Sequence, residues 1–282
     1  LLIRSDASPC PSYFGLSSDH NPNIQRGGRS QALELLSSFK KKRGQYYSSE
    51  MSSPVTAFES CSRLSPHYAF GTVSVREVFQ NIQRKRERLR EDKSSPNGAW
   101  ARSMSSFASR LRWHCHFMQK FNDEPRMQFE NLHRGTRGLR EEGFDEVFFE
   151  AWKQGRTGFP LVDAAMRALK ATGWINFRMR AMLISFASYH LWLHWVRPAE
   201  YLASLFTDFE PGIHYPQVQM QAGTTGINAV RIYSPTKQAR DQDPEGVFIR
   251  EWIPELGSAP KSFIHTPWVN PVGEGDYPSP IV

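Results

Sequence analysis

TGFPLVDAAMRALKATGWINFRMRAMLISFASYHLWLHWVRPAEYLASLFTD, Thr157 to Asp208, decides the fold. Pro160 stands where a first-turn proline is tolerated, because the N–H it lacks has no intrahelical acceptor there. Leu161, Val162, Ala165, Met166 and Leu169 then recur at helical spacing. Thr172-Gly173 supplies a glycine stop, which predicts a helix of about three turns. After the Gly173-Trp174 corner a second helix is predicted, with Met179, Met182, Leu183, Phe186, His190 and Leu193 on one face. It opens with Arg178 and Arg180, and an acid, Asp208, follows one helix later. Arginines at the head of an apolar helix need an anionic partner or water, since an unpaired buried charge is costly. The competing reading is a guanidinium exposed at a helix end.

Outward from this stretch the chain remains helical in pattern. Residues 1–30 are rich in Ser, Pro, Asn and Gly and read as an irregular lead-in or linker; residues 31–282 read as one helical domain. A helix is predicted from Ser30 to about Lys41, then a polar loop over 43–58. Ser65-Pro66 reads as cap and first residue of another helix. Ser74-Val-Arg-Glu77 is a capping-box pattern before Val75, Val78, Phe79 and Ile82. That helix ends in the basic run Arg84–Arg90, which reads first as a solvated face and second as a nucleic-acid contact. Lys93–Gly98 is expected to be a loop, and Phe107–Phe117 helical. With no hairpin signal and no repeat, the fold class is all-α, a globular helical domain rather than a coiled coil.

Composition narrows the function classes. The 282 residues are 39% apolar, enough for a large core, and carry a net charge of +7. A pI near 9.4 suits a polyanionic partner, although a generic basic surface gives the same figure. Cys10, Cys61 and Cys115 have neither paired nor metal spacing, which favours a reducing, intracellular compartment. No run of 18 apolar residues exists to cross a membrane, and no signal-peptide pattern opens the chain. It begins with Leu1 rather than Met, so it is expected to be a fragment of a longer product.

Several chemistries lack their motifs. There is no Gly-x-Gly-x-x-Gly after a strand and no phosphate loop. His114-Cys115-His116 is spaced too tightly for a helical metal site, and His190 is not followed by the glutamate of a zinc protease. No metal is expected. Gly223-Thr-Thr-Gly226 is a turn signal and little more.

Other segments share one resemblance with the opening stretch. Gly44-Gln-Tyr46, Cys61-Ser-Arg-Leu-Ser-Pro66 and Trp152 with Thr157–Arg167 are its first parts. Arg231-Ile-Tyr-Ser-Pro, Asp243–Leu256 and Asp276-Tyr-Pro-Ser-Pro-Ile281 complete it. In this order and spacing, from about Gly27 to Trp268, the chain resembles the FAD-binding helical domain of the photolyase/cryptochrome family, without the α/β antenna domain that precedes it there.

The resemblance implies roles residue by residue. Tyr46, Ser62, Arg63, Leu64 and Ser65 fall where the FAD phosphates and ribityl chain are held. Hydroxyls, amides and an arginine at a helix start suit such an anion. Trp174, Arg180 and Asp208 fall around the isoalloxazine, and the position facing its N5 counts to His214, usually asparagine in photolyases. Trp152 and Trp195 match the outer members of the electron-transfer tryptophan chain. The innermost counts to Val218, with Tyr215, Tyr189 or Trp192 as replacements. In the substrate cavity Trp113 matches a lesion-stacking tryptophan and its partner counts to Met220. The dimer-binding glutamate counts to Arg110 and a cavity asparagine to Phe177. The histidine pair of the (6-4) enzymes would fall at Phe177 and Ala181, so that chemistry is not expected. Arg178 and Arg231 complete the cavity set.

Two functions follow as expectations. One is FAD-dependent, blue-light-driven repair of pyrimidine dimers by electron transfer from reduced excited flavin, a carbon–carbon lyase activity. The partner would be damaged DNA, single-stranded DNA and RNA remaining open, and the protein a monomer without a membrane. The other is a cryptochrome-like photoreceptor that repairs nothing. The loss of the glutamate favours the photoreceptor; the basic balance and Trp113 favour repair.

Overall fold

The computed structural model describes residues 10–15, 21–92, 98–227, 232–269 and 277–282. Of the described residues 65% are helical, and no strand occurs among them. The first helices are α1 (Arg29–Lys41), α2 (Tyr47–Glu50), α3 (Pro54–Ser60), α4 (Ser65–Ala69), α5 (Val75–Glu91) and α6 (Gly98–Asp123). Then come α7 (Glu146–Gln154), α8 (Pro160–Thr172), α9 (Phe177–Ser185), α10 (Val196–Leu205), α11 (Pro211–Ala222), α12 (Pro235–Gln242) and α13 (Val247–Trp252).

In the first half, the 43–58 stretch is not the loop its polarity predicts. It forms a 3₁₀ turn over Arg43–Tyr46, then α2, then the start of α3. Ser53 caps α3, its hydroxyl accepting from the Val55 amide at 3.3 Å, and Pro54 is the first helical residue. Buried Gly44 and Tyr47 pull this polar segment onto the core. α4 starts one residue earlier than expected, with Leu64 at the N-cap and Ser65 inside the helix. Ser74 does cap α5, accepting from the Glu77 amide at 3.1 Å. The capping box is only half made, because the Glu77 carboxylate takes two bonds from Arg29, at 2.9 and 3.0 Å. Residues 93–97 lie outside the described residues, and Gly98 already belongs to α6.

The second half carries the larger core. α8 runs as predicted from Pro160 to Thr172 and ends at Gly173 in the left-handed region, φ 68°. Its register is set by buried Asp163, which accepts from the Thr157 amide and hydroxyl, the Gly158 amide and the Tyr277 hydroxyl at 2.6–3.0 Å. Burial pushes that carboxyl up despite its four donors. A side chain at Gly158 (φ 81°) would overlap the Ser279 backbone, so residues 277–282 lie against this turn. The second predicted helix is shorter than its apolar pattern. α9 stops at Ser185, a π turn occupies Phe186–His190, and Trp192 takes φ 55°. Leu193 leaves the helix to bond the Ala187 carbonyl at 2.9 Å.

Two apolar clusters result. One gathers Phe39, Tyr47, Leu64, Val78, Ile82 and Phe107 from α1–α6; the other gathers Trp152, Met166, Met179, Trp195, Val218 and Ile249 from α7–α13. α6 packs on both α5 and α11 and so bridges them. The candidate site lies along this seam.

Candidate functional site

α9, α10, α11 and the 206–210 turn surround a partly open cavity whose lining includes Phe177, Arg180, Asp208, Glu210, His214 and Val218. Arg180 donates from Nη2 to Asp208 Oδ2 at 2.7 Å and from Nε to the Ile175 carbonyl at 2.9 Å. Its guanidinium carbon lies 4.0 Å above the Phe206 ring. The sequence alternative of an exposed helix-end arginine is therefore excluded for Arg180. The second carboxylate oxygen, Asp208 Oδ1, is buried without a partner.

His214 stands in the first turn of α11, with Nε2 2.9 Å from the Ala199 carbonyl. A carbonyl can only accept, so Nε2 carries the proton. Burial pushes the imidazole down to about 4; the Ala199 bond opposes that, nearby Arg180 adds to it and Asp208 counters it. His214 is neutral at physiological pH.

The second wall is the turn before α4. Arg43 clamps it by donating to the Glu59, Cys61 and Ser62 carbonyls at 2.6–3.3 Å. Arg63 takes φ 61°, rare for a residue with a side chain. Its guanidinium carbon is 4.0 Å from the centroid of Phe58 and 3.9 Å from that of Trp174. Arg63 Nε donates to Gln25 Oε1 at 3.1 Å, while Nη1 is buried with no partner. Burial lowers this guanidinium to about 10 although Asp208 and Cys61 act the other way; the Cys61 thiol is itself pushed up to about 12 by burial. Ser62 and Leu64 are buried beside Arg63, Ser65 opens α4, and Trp174 is buried across the turn.

The structure thus brings Ser62, Arg63, Leu64, Ser65 and Trp174 together on one wall and Arg180, Asp208 and His214 in the cavity. Tyr46, in the same 3₁₀ turn as Arg43, is half exposed, its carbonyl accepting from the Ser49 hydroxyl at 2.9 Å. Phe177, which lines the cavity, is exposed, and the exposed Arg110 lies 6.0 Å over its ring; Trp113 is exposed on α6, packed against His116 and Phe117. Met220 is half-buried on α11. Arg178 is engaged elsewhere, donating to Gln238 at 3.1 Å and Ser52 at 3.4 Å, and is absent from the cavity lining. Arg231 lies outside the described residues.

Trp152 and Trp195 are fully buried in the cluster that holds Val218. Trp152 stacks on Phe149 at 6.0 Å, and Trp195 donates to Asn131 at 2.6 Å. Tyr215 is 5.2 Å from the His214 ring. Trp192 is exposed, with Arg140 4.6 Å over it.

Two features escape the sequence reading. His114 Nε2 lies 2.8 Å from Glu210, linking α6 to the residue before α11. The acid immediately before Pro211 is a helix-start signal that could have singled out Glu210. Gln25 carries no comparable signal. Among the described residues no group of His, Cys, Asp and Glu could hold a metal ion.

The two unmet buried atoms test the fit to FAD. Asp208 Oδ1 is an acceptor and Arg63 Nη1 a cationic donor. A flavin ring offers an N–H to the first and a pyrophosphate offers oxygens to the second, which are the partners such atoms lack. The residues fit the cofactor.

Comparison with known proteins agrees. Residues 107–282 match the family model described as the FAD binding domain of DNA photolyase. A deoxyribodipyrimidine photo-lyase of Alkalihalophilus pseudofirmus is 31% identical over 90% of this chain and 52% of its own length. Cryptochrome-2 of Arabidopsis thaliana is 35% identical over 87% of this chain and 39% of its own. The crystal structure of the Sulfolobus tokodaii archaeal photolyase, reported with two FAD molecules, superposes with a TM-score of 0.77 at 33% identity, covering 92% of this chain and 54% of that one. A Synechocystis cryptochrome gives 0.82 at 27%, covering 99% and 59%. The chain spans about half the length of the curated relatives it matches. By its family match, its all-α architecture and the fit of its two walls, the chain belongs to the photolyase/cryptochrome family and is an FAD-binding domain of it.

Proposed function

We propose that this chain acts in FAD-dependent, blue-light-driven repair of pyrimidine dimers in DNA. The observation that carries the reading is the mouth of the cavity. Exposed Phe177 lines it and offers an apolar face, Arg110 of α6 stands over Phe177, and exposed Trp113 lies about one turn further along α6. Flat apolar surface beside a cation suits an unstacked base on a phosphate backbone. The net charge of +7 adds non-specific attraction for that backbone.

The chain's own residues would act as follows. Ser62, Arg63, Leu64 and Ser65 hold the phosphate end of the cofactor, and Trp174 lines the isoalloxazine. Arg180 and Asp208 orient the ring, Asp208 through its unpaired oxygen, and the charge of Arg180 favours negative charge developing beside it. His214 is held neutral, with its proton on the nitrogen that bonds Ala199. Phe206, Phe209 and Ile213 exclude water from the same space. When bound, FAD would supply the light absorption and the electron.

A second reading, a cryptochrome-like photoreceptor, is favoured by Arg110 standing where the resemblance places the dimer-binding glutamate. The test is repair of ultraviolet-irradiated single- and double-stranded oligonucleotides by FAD-loaded protein, in blue light and in darkness. Light-dependent loss of dimers is expected. A flavin that responds to light while dimers persist in both substrates would transfer the assignment to the photoreceptor.

A further inference from the structure

Residues 21–25 close the site from outside the helical domain. Asn21 donates from Nδ2 to the Ala171 carbonyl at 2.8 Å, in the last turn of α8 and three residues before Trp174. The segment folds on itself there: the Asn23 amide donates to Asn21 Oδ1 at 3.0 Å and the Ile24 amide to the Asn21 carbonyl at 3.2 Å. Gln25 then engages Arg63 twice. Its Nε2 donates to the Arg63 carbonyl at 2.8 Å, and its Oε1 accepts from Arg63 Nε at 3.1 Å. One amide group therefore grips both the backbone and the side chain of the same arginine.

The geometry gives this grip a purpose. Phe58 and Trp174 meet edge to face, their ring planes 81° apart, and the guanidinium carbon packs against both. Such ring contacts leave the direction of its Nη edge undetermined. The bond from Nε to Gln25 sets it, and what remains is a buried cationic edge whose Nη1 has no partner. Arg43 cannot take that place, since its guanidinium is committed to carbonyls of Leu35, Glu59, Cys61 and Ser62 and to the Ser38 hydroxyl. The pyrophosphate is the anionic part of FAD. We propose that residues 21–25 form a strap that aims Arg63 at that pyrophosphate, with Gln25 as the positioning residue. The inference rests on the assignment of Arg63 to the phosphate end of the cofactor.

The test measures FAD affinity by fluorescence titration, together with apo-protein melting, for wild type, Gln25→Ala, Asn21→Ala, Arg63→Ala and the Gln25→Ala/Arg63→Ala pair. Gln25→Ala is expected to weaken FAD binding roughly tenfold, the loss of one charge-assisted hydrogen bond. Its apo melting temperature stays at the wild-type value, and in the Arg63→Ala background the same change has no further effect. Asn21→Ala, which frees the far end of the strap, weakens FAD in the same direction by less. It decides the matter if Arg63→Ala does not fold: undiminished affinity in both strap variants overturns the proposal. So do additive losses in the double variant, or a fall in apo melting that accounts for the whole effect. Wild-type protein that takes up no FAD would instead remove the reading beneath the inference.

Discussion

Asp208 meets Arg180 with one carboxylate oxygen, Nη2 to Oδ2 at 2.7 Å, and keeps the other buried and unpaired. The pair is asymmetric in exposure: the Asp208 side chain is 3% exposed and that of Arg180 22%. Removing the buried member leaves a partly buried cation with no counter-charge.

Asp208→Ala is therefore expected to destabilise the fold by about 3–5 kcal/mol, and Asp208→Asn by less because it keeps the volume and an acceptor. Urea unfolding of both variants gives the comparison, and the flavin-to-protein absorbance ratio gives cofactor retention. Full retention with unchanged unfolding in Asp208→Ala would contradict a buried pair.

His214 makes stability depend on pH in a defined window. Its folded-state value, about 4, lies below the ordinary 6.5, so the folded chain resists the proton that the unfolded chain accepts. The contribution is complete above pH 6.5 and falls away as pH drops toward 4, by about 3 kcal/mol in all. His67, His190 and His194 are also pushed down by burial and act in the same direction. The difference between wild type and His214→Asn isolates the one that lines the cavity beside Arg180 and Asp208. Parallel unfolding-energy curves for the two proteins between pH 7 and pH 4 would argue against the neutral, desolvated imidazole.

Val218 lines the cavity and has no aromatic system to oxidise, while Tyr215 lies one ring contact from His214. Under blue light with a thiol reductant, Tyr215→Phe is expected to slow flavin photoreduction several-fold. Trp192→Phe and Trp195→Phe are expected to leave the rate close to wild type. Loss of reduction in Trp195→Phe alone would restore the tryptophan route.

Asp163 satisfies four donors from two distant parts of the chain. Asp163→Ala orphans buried N–H and O–H groups and should reduce stability by at least about 3 kcal/mol. Hydrogen exchange should quicken at Ile281, whose amide donates to the Thr157 carbonyl at 3.1 Å. Unaltered protection at Ile281 would separate the tail from this carboxylate.

The sequence discloses what is local. Pro160, the apolar spacing after it and Gly173 mark α8 at both ends, because each signal acts within a turn. The end of α9 is not marked: Phe186, His190 and Leu193 keep helical spacing while the backbone widens into a π turn and Trp192 reverses its φ. The 43–58 stretch reads as a loop by polarity, although Ser53-Pro54 is a helix start in its own right. The residues assigned to the cofactor are legible only through their order along the chain. The grip of Gln25 on Arg63 spans 38 residues and joins a lead-in without periodicity to a turn, so no local rule reaches it.

Arg63 holds a backbone conformation that glycine would adopt without strain. Arg63→Gly should therefore relax the turn by about 1 kcal/mol while discarding the guanidinium. The two halves of the residue pull on different observables: apo-protein melting should rise or hold, and cofactor retention should fall. Arg63→Ala loses the guanidinium without that relief. The gap in apo melting between the two variants measures how much conformational energy this turn stores so that a cation can rest against two aromatic rings.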